Sequence, residues 1–288
     1  MSKITTAIFP VGGLGTRFLP ATKSMPKEML PIANKPIIQY AFEEAKLAGI
    51  ERFIFVTGRN KNAINNHFDH SYELEAVLDR DNKNQELASV IDWLPQAGSI
   101  CFVRQQQPLG LGHAIFCARN FVDQQQPFVV ILADELLMPQ QQNTLSKMID
   151  LYQQKEVNAN ILGVDVVDKS ETNKYGILQI DSNDRVINMI EKPNPSEAPS
   201  NMAIIGRYIL QPQIFDYLAI TPKGKGGEIQ LTDAMQKMCQ DYPFYYQKVN
   251  QPRFDCGSVL GYIEANIAFA VADNKINNQV QQLLKKYL

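Results

Sequence analysis

A glycine-rich segment after the first predicted strand carries the strongest chemical signal in the sequence. It reads Val11-Gly12-Gly13-Leu14-Gly15-Thr16-Arg17, and a second cationic residue, Lys27, follows ten positions later. Backbone N–H groups of glycines can approach phosphate oxygens closely because no Cβ atom blocks them. Arg17 and Lys27 would supply compensating positive charge. The segment therefore predicts a site for a polyphosphate.

Two common phosphate-binding motifs do not fit this segment. A dinucleotide fingerprint needs its glycines to open directly into a helix, whereas Thr16-Arg17-Phe18-Leu19-Pro20 intervenes here. A P-loop needs Gly-Lys followed by Ser or Thr, and no such sequence closes the segment. A dehydrogenase, a kinase and a GTPase are therefore disfavoured. A glycine cluster standing alone would also fit a tight turn without a ligand.

A carboxylate, Asp134, follows the apolar run Val129-Val130-Ile131-Leu132. Open α/β sheets bind ligands beyond the carboxyl ends of their strands. Mg²⁺ prefers oxygen ligands and usually takes one or two protein carboxylates, with substrate phosphates and waters completing its shell. Position alone leaves two interpretations equally open, a metal ligand and an ordinary strand-end aspartate.

Apolar periodicity predicts an α/β fold with a mixed, mostly parallel, Rossmann-like central sheet flanked by helices. The first half alternates predicted strands (5–10, 53–56, 100–103, 128–132) with predicted helices (36–48, 112–119, 144–153). From about residue 159 the pattern changes to strands separated by turns (161–167, 177–180, 186–190, 202–210), followed by two closing helices (262–272, 275–287). This second region predicts a smaller, more antiparallel part that covers the substrate.

Composition narrows the class of partner. The chain has 288 residues, with 28 basic against 30 acidic side chains and a net charge of −2, so the basic excess of a nucleic-acid-binding protein is missing. No stretch of about 18 apolar residues and no signal peptide is visible, which predicts a cytoplasmic protein without a membrane partner. The four cysteines form no Cys-x-x-Cys pair and are expected to be reduced, packed thiols.

Several separated motifs together resemble those of the sugar-phosphate nucleotidyltransferases, and they occur in the same order over nearly the whole chain. The glycine loop with Gly-Thr-Arg and the following Pro-Lys are the signature of that family. The matching segments are Gly15-Thr16-Arg17, Pro26-Lys27, Gly110-Leu111-Gly112-His113-Ala114, Glu191-Lys192-Pro193, Gly206-Arg207-Tyr208, Glu228-Ile229-Gln230-Leu231-Thr232-Asp233-Ala234 and Asp255-Cys256-Gly257. A set of motifs in the right order is far more specific than any one of them.

The resemblance implies a fold of the nucleotide-diphospho-sugar transferase type and a reaction. One domain would span residues 1–288, with a mainly nucleotide-binding half (1–158), a mainly sugar-phosphate-binding half (159–257) and C-terminal helices (258–288). The chain is similar to members that transfer a uridylyl group from UTP to α-D-glucose 1-phosphate, which yields UDP-glucose and pyrophosphate with the help of Mg²⁺. The family also implies a homodimer or homotetramer, formed through the C-terminal helices.

The resemblance also assigns roles to individual residues. Asp255 would join Asp134 as the second metal ligand, and Arg17 and Lys27 would hold the β- and γ-phosphates. Lys192 would bind the phosphate of the sugar, Glu191 would accept hydrogen bonds from its hydroxyls, and Gly176 would let the backbone approach it. The residues implied to read the base are Gln105 and the backbone of Val11, Gly12 and Gly110.

The sequence leaves the roles of two residues and the identity of the donor nucleotide open. Glu135 could assist the metal ion or face solvent. His113 is expected to have a structural role rather than that of a general base. The alternatives to uridylyl transfer are a transferase that uses dTTP, CTP or GTP, and a catalytically silent regulatory subunit that binds a nucleotide sugar.

Overall fold

The computed structural model of the chain describes residues 3–287, without the side chain of Lys225. Its strands are β1 (Thr6–Val11), β2 (Pro31–Ile32), β3 (Lys35–Pro36), β4 (Arg52–Thr57), β5 (Ile100–Arg104), β6 (Phe128–Ile131), β7 (Glu135–Leu137), β8 (Asn160–Val166), β9 (Gly176–Ile180), β10 (Val186–Glu191), β11 (Met202–Leu210), β12 (Phe244–Lys248) and β13 (Arg253–Asp255).

Helices connect most of these strands. They are α1 (Ile37–Leu47), α2 (Asn62–His67), α3 (Tyr72–Arg80), α4 (Asn84–Ile91), α5 (Leu111–Cys117), α6 (Thr144–Gln154), α7 (Ile214–Ile220), α8 (Leu231–Met238), α9 (Val259–Ala272) and α10 (Asn277–Tyr287). Local sequence explains where several of them begin. Pro36 precedes α1, the Asn143 side chain accepts a hydrogen bond from the Ser146 N–H at the start of α6, and Ser258 accepts one from the Gly261 N–H in α9.

The described chain forms a nine-stranded mixed sheet in the order β10-β9-β11-β6-β1-β4-β5, with β8 beside β11 and β12 beside β8. Parallel pairs join β1 to β4 and β6, β4 to β5, and β8 to β12. β11 is antiparallel to β6, β8 and β9, and β10 is antiparallel to β9. Seven of the nine strands therefore share one direction, which confirms the mixed, mostly parallel sheet predicted from the sequence.

The sheet is covered on both faces, as parallel sheets require. Consecutive residues of β1 alternate between two apolar cores: Ala7, Phe9 and Val11 pack into one core and Ile8 into the other. The first core includes residues of α1, α6 and α9, and the second includes residues of α5, α7 and α8. Within residues 3–287, no helix has both the length and the apolar character needed to cross a bilayer.

A small two-stranded sheet completes the edge where the site lies. β13 pairs antiparallel with β7, so that Asp255 lies opposite Glu135, the residue after Asp134. Two segments more than a hundred residues apart in the chain are thereby brought together at the carboxyl end of β6.

Candidate active site

A cleft of about 490 Å³ opens at the carboxyl ends of β1 and β6. Val11, the last residue of β1, was predicted to bound the site, but it is fully buried and does not line the cleft. The residues predicted from the sequence that line the cleft are Gly12, Gly13, Gly15, Thr16, Lys27, Gln105, Gly110 and Asp134. The structure therefore brings the glycine-rich loop, one lysine, one aspartate and the proposed base reader together around one space.

The glycine-rich loop is held in shape by local hydrogen bonds. Gly15 has a φ of 66°, a left-handed conformation that suits glycine, and it precedes a short 3-10 turn, Thr16–Phe18. The Thr22 hydroxyl donates to the Gly15 carbonyl at 2.7 Å, and the Phe18 N–H donates to the same carbonyl at 3.0 Å. Phe18 is buried, so the turn is anchored while Arg17 stays exposed beside the cleft.

Lys27 and Asp134 form an ion pair on the wall of the cleft. The Lys27 Nζ atom lies 2.5 Å from Asp134 Oδ2, and the two side chains are 22% and 29% exposed. Burial by itself would raise the pKa of Asp134, but the Lys27 charge and hydrogen bond, together with backbone hydrogen bonding and Arg17, hold it below its usual value. Asp134 is therefore ionised at neutral pH, as a metal ligand must be.

Asp255 and Asp134 border the same small space, next to Gly257. A Cβ atom built on Gly257 would lie 2.9 Å from Asp255 Oδ1, 3.2 Å from Asp134 Oδ2 and 3.6 Å from Arg17 Nη1. The glycine thus leaves open a volume that is bounded by two carboxylates and one guanidinium. Arg17 Nη1 also donates to the Gly257 carbonyl at 3.3 Å, which ties the glycine-rich loop to the end of β13.

This arrangement fits a cation that is only partly coordinated by protein. Residues 3–287 contain no cluster of three or more His, Cys, Asp or Glu side chains that could enclose a metal ion. Two carboxylate oxygens on one open space, beside the glycine-rich loop, match the way in which Mg²⁺ is usually held. Substrate phosphates and waters would supply the remaining ligands.

Gln105 is fixed in the cleft by two hydrogen bonds from its side-chain amide. Nε2 donates to the Gly110 carbonyl and to His113 Nδ1, both at 3.1 Å. Burial, and then the charge of Lys223, lower the pKa of His113, which keeps the ring neutral and able to accept this bond. In this structure His113 therefore helps to hold the Gln105 side chain.

Glu191, Lys192 and Gly176 lie together at the paired ends of β9 and β10. Glu191 is opposite Gly176 in the strand register, and a Cβ atom on Gly176 would lie 3.3 Å from Glu191 Oε2. The Thr232 hydroxyl donates to Glu191 Oε2 at 2.6 Å. Lys192 has a φ of 47° and is 40% exposed, with its Nζ atom 3.2 Å from Glu191 Oε1. These residues form a second group, outside the lining of the glycine-loop cleft.

Comparison with known proteins identifies the family. The model of the nucleotidyl transferase family matches residues 6–271. The chain belongs to the nucleotidyl transferase family. This nucleotidyl transferase is 43% identical over 290 residues to UTP–glucose-1-phosphate uridylyltransferase 2 of Staphylococcus saprophyticus, with 99% of each chain covered. It is 44% identical over 292 residues to the UTP–glucose-1-phosphate uridylyltransferase of Bacillus subtilis, with 100% of this chain and 98% of the relative covered.

Solved structures agree with this assignment. A UTP-bound UGPase from Acinetobacter baumannii superposes with a TM-score of 0.90 at 38% identity, covering 98% of this nucleotidyl transferase and 99% of that chain. A UDP-glucose pyrophosphorylase complexed with UDP-glucose superposes with a TM-score of 0.83 at 41% identity, covering 94% and 100%. Nucleotidyl transferases commonly use a divalent metal ion.

Of the two interpretations of Glu135 that the sequence left open, exposure to solvent is wrong for this nucleotidyl transferase, and assistance to a metal ion stays a prediction. Its side chain is 14% exposed and forms an ion pair with Arg253, at 2.9 Å between Oε2 and Nη1. Arg253 also binds Asp165 at 2.9 Å, so it ties β13 to both β7 and β8. Burial raises the pKa of Glu135 to about 7 although Arg253 opposes the shift. Through this ion pair Glu135 joins β7, which follows Asp134, to β13, which ends at Asp255.

Sequence reasoning missed two acidic residues of the cleft, Glu28 and Glu228. Glu28 is 3% exposed and accepts a hydrogen bond from Lys61 Nζ at 2.7 Å, which fixes the residue next to Lys27 to the loop after β4. Its place directly after the Pro26-Lys27 motif was the available signal. Glu228 begins another of the quoted motifs, but nothing in the sequence places it near the glycine-rich loop.

Proposed function

We propose that this chain is a UTP–glucose-1-phosphate uridylyltransferase, which transfers the uridylyl group of UTP to glucose 1-phosphate and releases pyrophosphate. The observation that carries the proposal is the convergence of the glycine-rich loop, Lys27 and two carboxylates, Asp134 and Asp255, at one end of the sheet. Full-length relatives and structural neighbours that bear this name support it.

The reaction needs alignment and charge neutralisation more than it needs a covalent intermediate. An oxygen of the sugar phosphate attacks the α-phosphorus of UTP, the bond from that phosphorus to the bridging oxygen breaks, and pyrophosphate leaves with the electron pair. Both reactants are anions, so repulsion must be offset before they can meet in line. We assign Arg17 and Lys27 to the β- and γ-phosphates, where their charges stabilise the departing pyrophosphate.

Asp134 and Asp255 are proposed to hold Mg²⁺ when the nucleotide is bound. The ion would supply a positive charge shared between substrate phosphate oxygens. Lys27 pairs with Asp134 in this structure, and a triphosphate in the cleft would offer its ammonium group a second anionic partner. The backbone N–H groups of Gly12, Gly13 and Gly15 would bind the same phosphates.

Base selection is assigned to Gln105, with the backbone of Gly12 and Gly110 lining the cleft beside it; Val11 is buried and is left out of this assignment. Both amide hydrogens of Gln105 are used inside the protein, by Gly110 and His113. What the side chain can offer a base is therefore its acceptor, Oε1, which lies 2.9 Å from a Cβ position on Gly12 in the cleft wall. Uracil carries a donor at N3 whereas cytosine carries an acceptor there, so this geometry favours UTP over CTP.

The second group of residues is assigned to the sugar phosphate. Lys192 Nζ would bind the phosphate, Glu191 would accept hydrogen bonds from sugar hydroxyls, and Gly176 would allow close approach of the sugar. This assignment follows the division of one domain, 1–288, into a nucleotide half (1–158), a sugar-phosphate half (159–257) and C-terminal helices (258–288), which we also propose; residues 1, 2 and 288 lie outside the described part.

A substrate panel tests the function directly. Pyrophosphate release is measured with UTP, CTP, dTTP, GTP and ATP, each with glucose 1-phosphate and other sugar 1-phosphates, with and without Mg²⁺. UTP with glucose 1-phosphate and Mg²⁺ is expected to give the highest kcat/KM. A higher value with another triphosphate would favour a different transferase, and binding without turnover on any pair would favour a regulatory subunit.

Replacing Lys192 by Ala is expected to raise the KM for glucose 1-phosphate by about ten- to a hundredfold, because a charge-assisted hydrogen bond contributes about 1.5–3 kcal/mol. The KM for UTP should change less than about twofold. Lys169→Ala is the matched control, since Lys169 is exposed in the neighbouring 3-10 segment Lys169–Lys174. Steady-state kinetics with each substrate varied separately distinguishes the outcomes, and an equal rise in the two KM values would contradict the assignment.

The homodimer or homotetramer implied by the family stays a prediction, as does the cytoplasmic location. α9 has features that such an assembly could use. Gly261, Ala265 and Phe269 face the core, whereas Val259, Leu260, Ile263 and Ile267 are between 42% and 78% exposed. A second copy bound at the C-terminal helices would cover this apolar face.

A further inference from the structure

We propose that Arg207 is a positioning residue that holds the backbone around Asp134, so that the carboxylate is presented to the metal ion. The inference rests on the proposed metal site and goes beyond it, because Arg207 touches neither substrate nor metal in that scheme. Arg207 is the bulkiest of the fully buried side chains, at 1% exposure. A buried guanidinium must bind nearly all of its donors, so the identity of its partners indicates its role.

Besides Glu44 and the Gly206 carbonyl, Arg207 has two backbone partners, and these lie on either side of Asp134 in the chain. Nη1 donates to the Leu132 carbonyl at 3.0 Å, and Nη2 donates to the Glu135 carbonyl at 2.9 Å. One rigid, planar group therefore bonds to the backbone two residues before the aspartate and one residue after it. Because each peptide unit is planar, fixing the carbonyls of Leu132 and Glu135 restricts the backbone torsions between them. The two bonds thereby restrict the direction of the Asp134 Cα–Cβ bond.

Glu44 on α1 holds the guanidinium in this orientation. Its carboxylate accepts from Arg207 Nε at 3.0 and 3.2 Å and from Nη2 at 2.8 Å. This pairing also neutralises a charge that would otherwise be buried without a partner. α1 is packed in the first core through Ile37, Ile38 and Phe42. Glu44 therefore anchors the Arg207 guanidinium to a helix that is itself held in place.

A bulge in β11 directs Arg207 toward this position. The register between β11 and β8 shifts between Ile204 and Tyr208, and Gly206 within the shift has a φ of 67°. A Cβ atom on Gly206 would lie 2.8 Å from the Leu132 Cβ atom, so the close approach of β11 to the end of β6 depends on glycine. Bulges are a common means of re-aiming a side chain near a functional site.

Arg207→Lys tests the role, because lysine keeps the charge but lacks the fork that spans Leu132, Glu135 and Glu44. Binding of Mn²⁺ to the full-length protein with UTP, measured by electron paramagnetic resonance without glucose 1-phosphate, is expected to weaken about tenfold or more, as is typical when a group that orients a metal ligand is removed. UTP binding without metal should change less than about twofold. Raising Mg²⁺ should restore much of the lost kcat.

Glu44→Gln is the second variant and covers the case in which Arg207→Lys does not fold. Glutamine keeps the shape of the side chain but weakens the hydrogen bonds to Arg207 by removing the negative charge. A smaller loss of metal affinity, about threefold, is expected. Glu43→Gln is the matched control, since Glu43 is the adjacent residue on α1 and binds Lys35 and Gln39 instead. An equal effect of the two glutamine variants would overturn the proposal.

A double-mutant cycle separates this inference from the metal assignment. If Arg207 acts through Asp134, Arg207→Lys should weaken Mn²⁺ binding by less than about twofold in the Asp134→Asn background. Unchanged Mn²⁺ binding by Arg207→Lys, with a lower melting temperature, would show a purely structural role and overturn the proposal. Unchanged Mn²⁺ binding by Asp134→Asn alone would instead refute the proposed metal site.

Discussion

Replacing Asp134 by Asn is expected to lower kcat by about a thousandfold or more while the chain keeps its fold. Asn preserves the size of the side chain but removes the negative charge on which a two-carboxylate metal site depends. It also leaves Lys27 without its ion-pair partner, at a contact that measures 2.5 Å in this structure. The measurement is pyrophosphate release at saturating UTP and glucose 1-phosphate over a range of Mg²⁺ concentrations.

Asp150→Asn is the control for this experiment. Asp150 is exposed on α6 and does not line the cleft, so its replacement should leave kcat within about twofold of the wild type. Circular dichroism and melting temperature establish that both variants fold. If the Asp134→Asn enzyme kept the kcat of the wild type at the same Mg²⁺ concentration, the assignment of Asp134 as a metal ligand would be refuted.

Replacing Lys27 by Met is expected to lower kcat by about a hundred- to a thousandfold, the range found when one preorganised donor to a developing charge is removed. The lysine is proposed to stabilise the pyrophosphate as it departs, so the loss should fall on kcat more than on the KM for glucose 1-phosphate. The variant also leaves Asp134 without its main compensating charge, which should raise the pKa of that carboxyl. Steady-state kinetics in both reaction directions tests this, because the same charge would bind pyrophosphate in the reverse reaction.

Lys23→Met supplies the matched comparison, since Lys23 is an exposed lysine four residues earlier in the same loop region. Its activity should stay close to that of the wild type. Similar losses in the two variants would mean that the general positive charge of the region matters, and not the contact of Lys27 with the cleft.

The first half of the fold was predictable because its strands are continuous apolar runs. β1, β4, β5 and β6 begin and end within one residue of the predicted strands, and α1 does so for its predicted helix. The helices α2, α3 and α4 were missed because they contribute almost nothing to the core: of α3 only Leu78 is buried, and of α4 no residue is. β7 and β13 are three residues each, too short to show a pattern of alternation.

The candidate site was predictable in its parts but not in its assembly. The glycine-rich loop and Asp134 could be proposed from local sequence, since each directly follows an apolar strand. Asp255 could be proposed only through the family resemblance, because its place beside Asp134 depends on β13 pairing with β7. The role of Glu135 depended on a distant arginine, Arg253, and local sequence carries no information about such a partner.

The pairing of β13 with β7 also bears on the order in which the enzyme is made. During synthesis on the ribosome, the glycine-rich loop, Lys27 and Asp134 emerge well before Asp255, which follows Asp134 by 121 residues. A nascent polypeptide can thus contain the proposed phosphate-binding residues of the N-terminal half and still lack one of the two carboxylates proposed to bind the metal ion. The proposed metal site is therefore incomplete until Asp255 has emerged and β13 has paired with β7.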